Sequence, residues 1–149
     1  MKMVADSSAM AKRYIDEPGS DEFEAILHDC HDLALCVLAM PEILSALNRR
    51  VRDGSLTVVQ YRRAKRQLAD DVRDCTILNL TSEVIARSTK LLEAYPLRAM
   101  DALHLACALE WQPDRFVSAD VRQLEAAGKE GLVIGDVSGK GIPAALMMA

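Results

Sequence analysis

The chain reads as an α/β protein, a three-layer α/β/α sandwich around a central parallel sheet. Three observations predict this. Apolar runs of strand length alternate with segments of helical periodicity along the chain, and such alternation builds parallel strands joined by right-handed helical crossovers. The 149 residues are 50% apolar, which supports one domain with a real core and leaves no room for a second full one. Gly and Pro are too few for a disordered or fibrous chain, and no apolar run approaches the roughly 20 residues of a membrane span.

Lys2 to Ala5 reads as a short strand ended by Asp6, followed by a helix or turn from Ser7 to Asp16 that Pro18-Gly19 closes. Asp21 to Asp32 has the periodicity of an amphipathic helix with Phe23, Ile26 and Leu27 inward, and Leu33 to Leu38 is a buried strand. Pro41 suits the first position of a helix carrying Glu42, Ile43, Leu44 and Leu47, with Gly54 just past its end. Ser55 to Asp74 is a long polar helix, Thr76 to Leu80 a strand, and Ser82 to Glu93 a helix broken by Tyr95-Pro96. Met100 to Trp111 is apolar nearly all round, the mark of a helix buried on most sides, and Asp101 stands at its beginning. Arg115 to Ala119 reads as a strand ending at Asp120, Val121 to Ala127 as a helix, and Leu132 to Ile134 as a last short strand.

The opening Met1 to Asp6 meets an acid too early for a secretory signal, so the expected compartment is the cytoplasm, with no membrane contact. There Cys30, Cys36, Cys75 and Cys107, each in apolar context, are expected as small core hydrophobes rather than a disulfide framework. A net charge of −4 excludes a protein that coats DNA unspecifically.

Four acids carry the sharpest chemical signal. Asp6 and Asp120 end strands; Glu42 and Asp101 open helices within otherwise apolar segments. Taken singly, each fits helix capping or a favourable first-turn charge. In this architecture, however, function sits at the carboxyl ends of the strands, and four acids from distant segments converging there would repel one another unless cations bind between them. All the ligands are oxygens, which favours Mg²⁺ or Mn²⁺ over zinc. Such a site activates water for in-line attack on a phosphodiester.

The same residues resemble the PIN-domain ribonucleases of the VapC toxin kind. The matching pieces are Asp6-Ser7-Ser8-Ala9 with Lys12-Arg13-Tyr14, Pro41 to Leu47, Leu97 to Ala106 around Asp101, and Phe116-Val117-Ser118-Ala119-Asp120, in the family's order over residues 1 to about 134. The resemblance implies that Asp6, Glu42, Asp101 and Asp120 are the catalytic, metal-binding acids and that Ser7 and Ser118 support them. It further implies a dimeric toxin held inactive by a cognate antitoxin.

An RNA substrate needs positive charge, and Arg49, Arg50, Arg52, Arg62, Arg63, Lys65 and Arg66 cluster against a single acid, Asp53. Arg49, Arg50, Arg62, Arg63 and Arg66 are candidates to hold the phosphate backbone, against the alternative of a solvated helix face. Few aromatics are available to stack bases, which favours a structured RNA over an extended strand. Arg98 either orients Asp101 or contacts phosphate, while His104 on the buried helix reads as a core histidine rather than a base.

Residues 1–134 are therefore expected to form the nuclease domain and 135–149 an unrelated Gly-rich tail. That tail, from Gly135-Asp136-Val137-Ser138-Gly139-Lys140 to the end, resembles a fragment of the bacterial metal-dependent serine/threonine phosphatases, without the remaining acids of that fold. It also fails the spacing of a phosphate-binding loop. It is read as a fusion or frameshift remnant and no phosphatase activity is expected. The expected activity is a Mg²⁺- or Mn²⁺-dependent endoribonuclease. The rival is a catalytically silent module of the same fold that binds an antitoxin or another basic partner.

Overall fold

The computed structural model describes residues 1–140. Five parallel strands form one sheet in the order β3-β2-β1-β4-β5: β1 (Lys2–Ala5), β2 (Asp32–Cys36), β3 (Thr76–Leu78), β4 (Arg115–Ser118) and β5 (Ile134–Asp136). Among the described residues seven α-helices connect and cover it: α1 (Ser7–Met10), α2 (Ser20–His28), α3 (Ala39–Arg52), α4 (Val58–Asp74), α5 (Ser82–Ala94), α6 (Ala99–Trp111) and α7 (Val121–Lys129). The three-layer α/β/α architecture expected from the sequence is the one found.

The side chains explain the layers. Along each central strand alternate residues enter opposite cores: Met3, Ala5, Leu35 and Val117 pack with Phe23, Ile43, Leu47 and Leu68, whereas Val4, Ala34, Cys36 and Phe116 pack with Leu91, Leu105 and Leu124. Both faces of the sheet are thus covered, as a parallel sheet requires. Cys36 and Cys107 are buried in the second core; Cys30 and Cys75 are half-buried.

Several boundaries differ from the sequence reading, each for a local reason. The first helix is one turn, Ser7–Met10, continued by a 3-10 turn, Ala11–Arg13. α2 stops at His28, and Asp32 belongs to β2, because His31 donates its N–H to the Met1 carbonyl and Asp32 pairs with Lys2. α3 starts at Ala39, so Pro41 lies within its first turn, where a missing N–H leaves no helical bond unmade. α4 begins only at Val58, fixed by a capping box in which Thr57 and Gln60 bond each other's backbone N–H.

The last strand is displaced most. It covers Ile134–Asp136, pairing Gly135 with Val117 and Asp136 with Ser118, and Val137 beyond it is fully buried. Gly19 holds this segment: its φ is +94°, and a Cβ there would lie 1.8 Å from the Val137 carbonyl oxygen, so only glycine fits. Of the expected tail, residues 141–149 lie outside the described residues.

Candidate active site

The strand order places the site. From β1 the chain winds outward through β2 to β3, then returns to the other side of β1 as β4 and continues to β5. That reversal opens a crevice at the carboxyl ends of β1 and β4. Asp6 directly follows β1, and Asp120 lies two residues past β4. Glu42 and Asp101 come from the first turns of α3 and α6. The four acids line one cleft of about 180 Å³ together with Ser7, Ser8, Arg98 and His104. The positive ends of α3, α6 and α7 accompany them and moderate the repulsion.

Asp6 forms the floor. Its Oδ1 accepts hydrogen bonds from the Ala9 N–H (2.9 Å) and the Ser8 hydroxyl (2.7 Å), and its Oδ2 from Ser118 (2.7 Å). The fully buried Ser118 hydroxyl also accepts from the Asp120 N–H at 2.9 Å, tying the acids after β1 and β4 together. Asp120 in turn caps α7 through the Arg122 N–H. Capping and site placement therefore coexist in Asp6 and Asp120. On the opposite wall Ser7 donates to Glu42 at 2.7 Å, and His104 Nε2 meets the same carboxylate and lies 3.1 Å from the Ser7 hydroxyl. Asp101 faces Arg98 at 3.5 Å, and its backbone carbonyl accepts from the buried Gln123 amide of α7.

The charges are not at their ordinary positions. Burial pushes the Asp6 carboxyl up, against the opposing pull of His104 and its three hydrogen bonds. Asp101 is also raised, first by burial and then by the neighbouring Asp120 carboxylate. Burial alone would lift Glu42, but the bonds from His104 and Ser7 outweigh it and hold the carboxyl low. For His104 burial works downward, yet Glu42 and the charge of Asp6 outweigh it and raise the imidazole.

A PIN domain family match covers residues 3–129. The chain belongs to the PIN-domain family. Ribonuclease VapC45 of Mycobacterium tuberculosis is 34% identical to this PIN domain over 104 residues, 70% of this chain and 72% of the relative. Two solved structures share the fold. A toxin-antitoxin complex from Klebsiella pneumoniae superposes with a TM-score of 0.66 at 15% identity, over 89% of this chain and 96% of that one. The sarcin-ricin loop cleaving toxin VapC20 of Mycobacterium tuberculosis superposes with 0.66 at 13%, over 89% and 97%. This PIN domain is thus of the VapC ribonuclease kind.

The basic candidates divide. Arg49 and Arg50 line a groove of about 480 Å³ that shares Ser7, Ser8 and Glu42 with the acidic cleft. Arg63 joins Arg50 on a further groove, whereas Arg62 and Arg66 line none of these cavities. Two contributors were not assigned to the site from the sequence: Ser8, which appears there only within the matching Asp6-Ser7-Ser8-Ala9 piece, and His104, read as a core histidine. His104 is buried as a core histidine would be, but it also opens on the cleft; its signal was the three-residue spacing from Asp101, which puts both on one face of α6.

The donor set suits a hard cation in chemistry: four carboxylates and neighbouring hydroxyls, all oxygen, with a like-charge strain at Asp101 and Asp120 that a cation relieves. Among the described residues no three His, Cys, Asp or Glu side chains stand gathered as a ready-made metal group. Asp6 and Glu42 instead engage the serines and His104. An ion in this cleft would compete with those contacts for the same carboxylate oxygens.

Proposed function

We infer that this chain is a divalent-metal-dependent endoribonuclease, the toxin of a toxin–antitoxin pair that works in the cytoplasm. The observation that carries this reading is the convergence of Asp6, Glu42, Asp101 and Asp120 on one cleft at the strand-order reversal of a VapC-type PIN domain. Bound Mg²⁺ or Mn²⁺ would supply an activated water and neutralise charge on the phosphoryl oxygens. Asp6, Glu42 and Asp101 would hold the ion, and Asp120 would support a second ion or orient the attacking water.

The remaining residues have positioning roles. Ser118 and Ser8 fix both oxygens of Asp6, and Ser7 aims Glu42. His104 holds a proton against Glu42 from the protein side of the cleft, and Arg98 stands at its mouth to meet the phosphate. A cognate antitoxin and a second copy of the chain are the proposed protein partners. The solved toxin–antitoxin complex of the same fold supports the first.

Incubating total RNA with the protein, with and without EDTA, and sequencing the products tests metal, activity and substrate together. The nuclease reading expects discrete cleavage sites that disappear with EDTA. RNA left intact in Mg²⁺ and in Mn²⁺ would instead leave the silent interaction module as the reading.

A further inference from the structure

We propose that the groove beside the acidic cleft binds the nucleotide next to the scissile phosphate, with Ala46 providing the room and Arg49 holding that nucleotide's distal phosphate. This rests on the nuclease reading above and adds to it a subsite and two residues that determine how RNA is seated.

The volumes divide the labour. Small-ligand sites occupy about 300–1,000 Å³. The acidic cleft, at about 180 Å³, accommodates a phosphate and its cation but no nucleoside, whereas the adjoining groove of about 480 Å³ does. The two are continuous, because Ser7, Ser8 and Glu42 border both.

One wall of the groove is α3, which presents Glu42, Ala46 and Arg49 on a single face by their spacing of four and three. Glu42 and Arg49 stand two turns apart, about 10 Å along the axis. Between them Ala46 contributes only a methyl group. The other cations of the groove are engaged: Lys12 by Glu17 at 3.2 Å and the Pro18 carbonyl at 2.6 Å, Arg50 by Glu17 at 3.4 Å. Arg49 is exposed and has no ion-pair partner among the described residues. Asp53, one turn past Arg49, and Glu17 also line the groove, but Glu17 is taken up by Lys12 and Arg50 and Asp53 by the Ser55 hydroxyl and N–H; a guanidinium left without an ion pair two turns from Glu42 matches a strand whose reacting phosphate meets a cation and whose next phosphate needs a protein charge.

Binding of a fluorescein-labelled RNA hairpin, followed by anisotropy in EDTA over a range of salt, tests the proposal without relying on cleavage. Arg49→Ala is expected to weaken binding about tenfold and to flatten the salt slope by about 0.7–0.9. Ala46→Leu, which fills the groove, is expected to weaken binding comparably. Lys90→Ala, the loss of an exposed cation on α5 away from cleft and groove, has no effect. Unchanged affinity and salt slope in both Arg49→Ala and Ala46→Leu overturns the groove, whether or not RNA is cut. Failure of the nuclease reading looks different: no Mg²⁺-dependent cleavage by the unmodified chain, with hairpin binding still weakened about tenfold in both variants.

Discussion

At the scale of single residues, His104 and Glu42 tie the acidic cleft to pH. The His104 imidazole is raised above its ordinary 6.5, so the stability it contributes is complete below that pH and is lost as pH rises through the raised value. Glu42 is held below its ordinary 4.5, so its contribution is complete above that pH and is lost as acid carries the pH through the lowered value. Without divalent ions the pair therefore stabilises most between about pH 4.5 and 6.5. In EDTA the melting temperature is expected to fall from pH 6 to pH 9, and His104→Gln is expected to flatten that fall. A variant whose pH profile matches the unmodified chain would show that the pair contributes nothing. Asp6 and Asp101 pull the other way, since burial raises both carboxyls and makes their ionised forms a cost of folding. Carboxylates kept at such a cost are characteristic of sites selected for chemistry rather than stability.

Among the elements, the connection between α2 and the end of the chain's described part is the most constrained. Gly19 combines a left-handed φ with a close approach to Val137, and Gly139 packs similarly against Pro18. Gly19→Ala adds backbone strain to a clash with a carbonyl that has no room to retreat, and it is expected to destabilise the protein by about 3 kcal/mol. Thermal or urea unfolding measures this directly, and a loss under 1 kcal/mol would mean that the segment after β5 gives way easily.

The same region shows what the sequence did and did not make legible. Strands with apolar interiors, such as Met3–Ala5 of β1 and Leu33–Cys36 of β2, and the mostly apolar α6 were readable because burial on both faces leaves few polar residues to confuse them. β5 was misplaced by two residues because Gly135 and Asp136, which read as the start of a Gly-rich tail, gain their strand conformation only from pairing with Val117 and Ser118. The Thr57–Gln60 box was legible in principle, since the residue types and spacing are those of a helix start. The extent of α1 was not, because its end depends on the turn that follows and on Arg13 and Tyr14 reaching Asp71 of α4.

For the molecule as a whole, the four acids were legible because chain order and sheet topology together bring strand ends to one edge. Their supporting shell was less so: Ser8 meets Ser118 and Ala119, and His104 meets Glu42 and Ser7, across 62 to 111 residues, which local pattern does not encode. The net charge of −4 also acquires a different meaning once folded. Acids concentrate at a cleft that a cation would neutralise, and Arg49 and Arg50 border the groove leading out of it, so overall acidity is compatible with binding RNA locally.

Whether these acids work as one metal-dependent hydrolytic site is decided by the rate of RNA cleavage in saturating Mg²⁺ by the unmodified chain and by Asp6→Asn. Asn preserves the shape but removes the charge at the floor of the cleft, so a fall of at least about a hundredfold is expected with no loss of folded protein. Cleavage by Asp6→Asn at the unmodified rate would contradict such a site.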